Sequence, residues 1–378
     1  MKHFLGNILI RCFKKLFGML GSKLYTTDEK VRWFASEEDV NSKLVSIIGK
    51  KFEDYRKKWN AVNRFELETD FPLFLQLETN QICNLMCPSC PIGQPEAHTK
   101  YISSDKMDWK LYEKIILEGE KHNCPSVEPQ GTNEPFLDQN LENYIKFAAD
   151  HGFIDIMLNT NGTILSEERA RKFLKSGITR VRFSLDAATK ETYEKVRLGG
   201  KFDVTMNNIK RFLEIKKQEK FELPVVGVNF CKTKFNEHEE DLFIEKWQDE
   251  VDFIVIQDFQ PPDLDANYSE FLSSSSAFRN KIQESGFNCQ QPWQRVLIRS
   301  NGEVCPCCAF FSEELSLGNL KDHSIHELWN SKEMHDLRDI HKRGNYEENS
   351  WCKKCIKHMG GDYANTQLIE IKSPSKNK

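Results

Sequence analysis

A chain of 378 residues is long enough for one large domain or two smaller ones. Its 39% hydrophobic and 29% charged content is that of an ordinary globular protein, and no apolar run reaches the length of a membrane span. A net charge of −4 gives no electrostatic footprint for nucleic acid as a partner. Twelve cysteines gathered at short spacings, rather than spread as a disulfide framework, point to metal binding or catalysis in a reducing cytoplasm.

Residues 1–69 read as an amphipathic and charged helical extension. Leu5, Ile8, Leu9, Cys12, Leu16, Met19 and Leu20 recur at helical spacing, Arg11, Lys14 and Lys15 fall largely on the other face, and no acid precedes Asp28. A basic amphipathic helix can lie in a membrane interface. Two readings follow: peripheral association with the inner membrane face, or packing of the stripe on the protein's own fold or on a partner, because an apolar stripe does not choose between lipid and protein. Residues 35–69 continue as charged helical material, with Trp33, Phe34, Phe52, Tyr55 and Trp59 as scattered anchors.

From Phe71, apolar runs that read as buried strands alternate with amphipathic stretches of helical period, the pattern of parallel βα units. Strands are predicted at Phe71–Leu77, Ser126–Pro129, Ile154–Asn159, Arg180–Leu185, Val225–Phe230 and Phe253–Ile256. Helices are predicted at Trp109–Lys121, Leu137–Ala149, Ser166–Lys175, Val204–Lys217 and Glu237–Trp247. Asp108 and Ser166 stand where N-caps belong, and Gly152 and Gly177 where helices end. Six repeats over residues 70–260 predict an α/β fold, a partial (βα)6 TIM-like barrel, with its active site on the loops after the C-terminal strand ends.

Those loops carry the residues with chemistry. Cys83-Asn-Leu-Met-Cys87-Pro-Ser-Cys90 follows the first strand. Three thiolates this close can hold three corners of a [4Fe–4S] cube, and without a fourth local cysteine one iron stays open to a non-protein ligand. A zinc site completed by Cys124, or three unrelated core cysteines, are the alternatives, since structural zinc takes four ligands. Gln130-Gly131-Thr132-Asn133-Glu134-Pro135 follows the second strand and Leu158-Asn159-Thr160-Asn161-Gly162 the third. The fourth ends in Ser184-Leu185-Asp186, where alternation puts Ser184 and Asp186 on one side. Each of these alone reads equally as a surface carboxylate, an Asn-Gly turn or a strand-end cap.

Pro261-Pro262 and Ser273 to Ser276 mark a linker or exposed loop. Residues 285–360 then form a small cysteine-rich domain with Cys289, Cys305, Cys307, Cys308, Cys352 and Cys355. Trp293 to Ile298 and Glu303-Val304 read as a hairpin around Asn301-Gly302, with a helix near His326–Trp329. A zinc ribbon, with its similar C-x2-C pairs, stays open for this set. Residues 361–378 are a polar tail expected to be disordered.

In this order and at these spacings, residues 71–260 resemble the radical S-adenosylmethionine (SAM) enzymes. The resemblance implies that Cys83, Cys87 and Cys90 bind a [4Fe–4S] cluster whose open iron chelates the amino and carboxylate groups of SAM. An electron from a donor such as flavodoxin or ferredoxin then splits the sulfonium, and the 5′-deoxyadenosyl radical takes hydrogen from the substrate. Ser89 stands where the family usually carries an aromatic, and Asn133 where it carries a second glycine. By the same resemblance, Gly131, Asn133 and Glu134 belong to the motif that bonds the SAM amino group, with Glu134 to take the ammonium. Asn161 belongs to a turn that lets backbone approach the ligand. Ser184, Asp186 and Arg197 belong to the groups that reach the SAM ribose and carboxylate, where a planar guanidinium suits a bidentate bond.

The C-terminal set resembles the auxiliary-cluster extension called SPASM, or its shorter relative called twitch. Cys289, Gly302 and Cys307 fit its opening pattern, and Cys352 and Cys355 complete one auxiliary [4Fe–4S] cluster, with Cys305 or Cys308 as replacements for Cys307. Four thiolates leave no open iron, which suits electron transfer or structure. The expected function is therefore a radical SAM oxidoreductase acting on a small-molecule or carbohydrate substrate, with the auxiliary cluster as electron acceptor. A peptide or protein maturase is the second reading, and a non-catalytic zinc or iron–sulfur protein the third. Cys231, after the fifth strand, is either a hydrogen donor for an epimerisation or a buried structural thiol.

Overall fold

The computed structural model describes residues 37–94, 102–103, 105–262, 266–285, 287–361, 369–370 and 374, together with the strands β1 (Tyr25–Asp28) and β2 (Val31–Phe34). The amphipathic stretch 4–24 lies outside the described residues. Helices α1 (Glu37–Ile48) and α2 (Lys50–Asn63) follow β2.

The six short apolar runs after Phe71 are all strands: β3 (Phe74–Leu77), β4 (Ser126–Glu128), β5 (Asp155–Thr160), β6 (Arg180–Ser184), β7 (Val225–Lys232) and β8 (Phe253–Asp258). They lie side by side in chain order, each parallel to the next. The connecting helices are α3 (Trp109–Lys121), α4 (Leu141–Asp150), α5 (Glu167–Leu174), α6 (Lys190–Val196) with α7 (Phe202–Gln218), and α8 (Glu240–Trp247). Asp108 accepts from Lys110 N and Ser166 from Arg169 N, so both act as the caps their positions predict.

Side chains alternate along each strand. Leu75, Val127, Ile156, Val181, Val228 and Ile254 point outward into the main apolar core beneath the helices. Their neighbours Gln76, Glu128, Asn159, Arg182 and Asn229 occupy the other face, the barrel interior. The sheet is curved but not closed, a partial TIM-like barrel.

Both free edges are covered, as an open edge would otherwise invite a foreign strand. At one edge β2 pairs antiparallel with β8, Val31 opposite Gln257, and β1 pairs with β2. Residues 25–34 therefore form a β-hairpin and not part of a helical extension; the helical character holds for α1 and α2. Those two helices close the lower end of the interior, where Val40, Leu44, Phe52 and Val62 pack against Val225 and Phe253. Below them Arg180 pairs with Asp155 at 2.8 Å and donates to Asn41 Oδ1.

Beyond β8 come the short β9 (Ala266–Asn267), α9 (Ala277–Ser285) and α10 (Gln291–Gln294). Ser274 and Ser275 are exposed, whereas Ser273 and Ser276 are buried and Arg279 N donates to Ser276 Oγ, so the run ends as the cap of α9. At the other barrel edge β10 (Arg295–Ile298) pairs parallel with β3, Arg295 opposite Phe74. Then β11 (Glu303–Cys305) and β12 (Gly318–Asn319) extend the same sheet antiparallel. The turn between β10 and β11 is closed by Arg299 N to Glu303 O at 2.8 Å, with Gly302 at φ 88°, which favours glycine. Helices α11 (Ile325–Trp329), α12 (Lys332–Lys342) and α13 (Ser350–Met359) complete the C-terminal part. In the tail, Ile369 and Glu370 pair with Ala266 and Asn267, so a polar composition did not exclude structure there.

The C-terminal part is joined to the barrel by more than the sheet. Arg299 and Glu78, both nearly inaccessible, pair at 2.9 Å, and the same guanidinium donates to Phe310 O and Ser312 Oγ. Arg338 donates to Glu68 and Pro292 O, and Trp329 Nε1 donates to Thr69 O. Among the described residues no helix is long and apolar enough to cross a membrane.

Candidate active site

The chain leaves β3 through Glu78, Thr79, Asn80 and Gln81, all buried, and enters the cysteine loop at the upper rim of the barrel. Backbone bonds then fold it tightly: Cys90 N donates to Cys87 O and Gly93 N to Cys90 O, both at 3.0 Å. A Cβ on Gly93 would lie 2.3 Å from Cys87 O, so only glycine permits this return. Met86 N donates to Leu198 O and fixes the loop against the segment after α6.

The three thiols face donors rather than carboxylates. Leu85 N lies 3.4 Å from Cys83 Sγ, Asn161 Nδ2 lies 4.0 Å from the same sulfur, and Arg197 Nη1 lies 3.9 Å from Cys87 Sγ. Burial pushes all three thiols up, Cys87 to about 12. Such N–H groups suit sulfur that carries the charge of a bound metal, as second-shell donors do. Cys124 is elsewhere: it precedes β4 at the lower end and lies 3.6 Å from Ser126 O as a hydrogen-bond donor. It cannot complete a four-ligand zinc site with the loop. The donor set is three thiols, which fits a cubane with one iron left for SAM.

The neighbouring strand ends meet this loop. Glu134, 2% exposed, accepts from Thr160 Oγ1 and Asn161 N, both at 2.7 Å, and from Phe136 N at 3.1 Å. The Glu134 carboxylate thus ties the loop after β4 to the loop after β5. Gly131 packs on Glu78, whose Cγ would lie 2.7 Å from an added Cβ. Asn133 Oδ1 accepts from Gly131 N, while its buried Nδ2 has no partner. Asn161 donates to Asn84 in the cysteine loop.

Ser184 sits opposite Asn229 in the sheet. Asp186 follows in the left-handed region, φ 58°, tolerated by aspartate more than by most residues. Its carboxylate accepts from Cys231 N at 2.8 Å and pairs with Arg197 at 2.6 Å. Burial raises the Asp186 carboxyl and Arg197 opposes the shift. Arg197 keeps a buried Nε without a partner.

Cys87, Cys90, Asp186, Arg197 and Cys231 line a cavity of about 620 Å³. Its opposite wall is C-terminal: Cys289, Gln290, Gln294 and Arg295, with Trp59 and Asn63 from α2. Sequence reasoning missed Trp59, Gln294 and Arg295; the run of glutamines after Cys289 was the available signal.

A second cavity, about 270 Å³, is lined by Cys289, Cys307, Cys308, Cys352 and Cys355. The four expected thiols are thus together although they come from separate segments. Asn349 caps α13 by accepting from Trp351 N and Cys352 N, and the i, i+3 spacing puts Cys352 and Cys355 on one helix face. Cys305 does not take part. It is fully buried at the end of β11 beside Arg299 and Ser312, which excludes it as a replacement ligand. Cys308 stays in the cavity wall, exposed.

Residues 77–241 match the radical SAM superfamily, and residues 289–356 match an iron–sulfur cluster-binding domain, SPASM. The chain is 25% identical over 333 residues to a tungsten-containing aldehyde ferredoxin oxidoreductase cofactor-modifying protein of Pyrococcus furiosus, covering 79% of this chain and 91% of that one. It is 33% identical over 134 residues to a probable GTP 3′,8-cyclase of Methanococcus maripaludis, covering 35% of this chain and 43% of that one. Among solved structures, native anSMEcpe with bound AdoMet superposes with a TM-score of 0.53 at 17% identity, covering 79% of this chain and 92% of that one. The chain belongs to the radical SAM superfamily, its partial barrel followed by a SPASM iron–sulfur domain.

Proposed function

We propose that this protein is a radical SAM oxidoreductase that oxidises a small molecule or carbohydrate held between two iron–sulfur sites. The observation that carries the reading is the cavity of about 620 Å³, walled on one side by Cys87 and Cys90 and on the other by Cys289. Cys83, Cys87 and Cys90 hold the SAM-binding [4Fe–4S] cluster, and Cys289, Cys307, Cys352 and Cys355 hold one auxiliary [4Fe–4S] cluster. When bound, these groups and SAM supply one-electron cleavage of the sulfonium, a 5′-deoxyadenosyl radical for hydrogen abstraction, and an acceptor for the electron the substrate gives up.

The chain's own residues place and shield that chemistry. Arg197 Nε and Asn133 Nδ2 are buried donors still without partners, available to the polar groups of SAM. Asp186 holds Arg197 in place, Gly131 keeps a side chain out of the approach, and Ser184 and Asn161 border the same rim. Glu134 positions the two loops. Units 70–260 and 285–360 carry the two sites, and flavodoxin or ferredoxin serves as electron donor. The named relatives act on a cofactor and on GTP, which supports a small-molecule substrate.

Epimerisation is the second reading, favoured by Cys231, which lines the cavity beside Asp186. Burial and Asp186 hold its thiol well above the ordinary range, so it stays an S–H able to return a hydrogen atom. The test is anaerobic turnover in deuterated water. Formation of 5′-deoxyadenosine with a product lighter by two hydrogens supports oxidation. Deuterium retained in an isomer of the substrate supports Cys231 as donor. Absence of 5′-deoxyadenosine after reduction would leave a non-catalytic iron–sulfur protein.

A further inference from the structure

The charged side chains among the described lining residues of the large cavity are Asp186, Arg197 and Arg295. Asp186 and Arg197 neutralise each other at 2.6 Å. Arg295 opens β10 and forms no ion pair among the described residues. Its recorded hydrogen bond is a long one, Nη2 to Gln294 Oε1 at 3.5 Å, and its Nε is buried without a partner. The guanidinium lies over Phe74, 4.5 Å from the ring centroid, which fixes its plane and leaves its N–H edge uncommitted.

Glu128, deeper in the barrel, balances this charge only in part. It accepts from Asn159 Nδ2 at 2.6 Å, and it feels Arg182 more strongly than Arg295. Arg182 and Arg295 both act on Glu128, while Asp155, which also acts on Arg182, pairs with Arg180, so guanidinium groups outnumber carboxylates here; the remaining polar wall includes the amides of Gln257, Gln260 and Gln294. Arg295 is half-buried, and a charge that gives up part of its hydration without a close counter-charge carries a cost. At the wall of a chamber that cost is offset when the ligand brings the charge.

We infer that the substrate carries an anionic group, a carboxylate or a phosphate, and that Arg295 binds it through its planar fork. The inference rests on the reading of this cavity as the substrate chamber. It makes Arg295 a specificity residue supplied by the C-terminal part to a barrel active site.

The test uses the holoenzyme with both clusters, saturated with SAM so that the carboxylate of SAM is already accommodated. Anaerobic calorimetry follows titration with inorganic phosphate and, separately, with acetate. At least one of them binds saturably, and the stronger arm names the source. Arg295→Gln weakens that binding about tenfold or more, the scale of one charge-assisted hydrogen bond, and Arg295→Lys retains part of it. Binding of neither anion, or binding that Arg295→Gln leaves unchanged, overturns the inference. Formation of 5′-deoxyadenosine is measured in the same wild-type sample. Product without anion binding defeats this inference alone, whereas absence of product defeats the proposed function.

Discussion

The two cysteine groups are built in opposite ways. The first is local: Cys83, Cys87 and Cys90 lie on one loop whose shape is fixed by its own backbone bonds. The second is assembled from three segments: the stretch before α10, the loop after β11, and the first turns of α13. A local site is a property of spacing and can be read from a short string. An assembled site is a property of the fold, and its membership depends on which way each side chain faces.

The sharpest way to break this comparison is to replace Cys83, Cys87 and Cys90 together by alanine. Formation of 5′-deoxyadenosine is expected to vanish, while the C-terminal group keeps its iron; iron analysis and electron paramagnetic resonance check this. Unchanged product would mean that the local group is not the SAM site.

The next contrast lies inside the assembled group. Cys307→Ala should remove the auxiliary cluster's iron, whereas Cys305→Ala should keep it and cost only about 1 kcal/mol, an ordinary single-site loss. Equal iron loss in both variants would show that burial beside Arg299 does not keep Cys305 out of the site.

A third variant addresses the seam. Arg299→Met strands the Glu78 carboxylate in a dry site, and breaking such a buried pair costs about 3–5 kcal/mol. The denaturant midpoint should fall accordingly; a loss below about 1 kcal/mol would show that the Arg299–Glu78 pair does not hold the parts together. The smallest effect is expected from Asn349→Ala, which removes the cap of α13 and costs about 1 kcal/mol. Thermal unfolding reads that loss, and iron retention shows whether Cys352 and Cys355 still share a face.

Much of the barrel was legible because its signals are local and agree with one another. All six strand runs and the helices between them obey the period expected of βα units, and capping residues mark several ends. What stayed hidden depends on partners distant in the chain. Val31 to Phe34 becomes a strand because β8 offers it an edge. Ser276 looks like part of a linker by composition but caps α9 by position. Glu134 occupies the expected place, but its hydrogen bonds to Thr160 and Asn161, which join two loops, depend on residues distant in the chain. Arg295 carries no motif, and its meaning comes from a cavity that neither wall forms alone.

The parallel pairing of β10 with β3 has a mechanical consequence. Arg295 sits opposite Phe74, so the backbone ladder gauges the distance between the two sulfur-rich regions, and the intervening chain does not. A longer exposed turn at Ser274 and Ser275, between β8 and β10, would therefore leave that spacing unchanged.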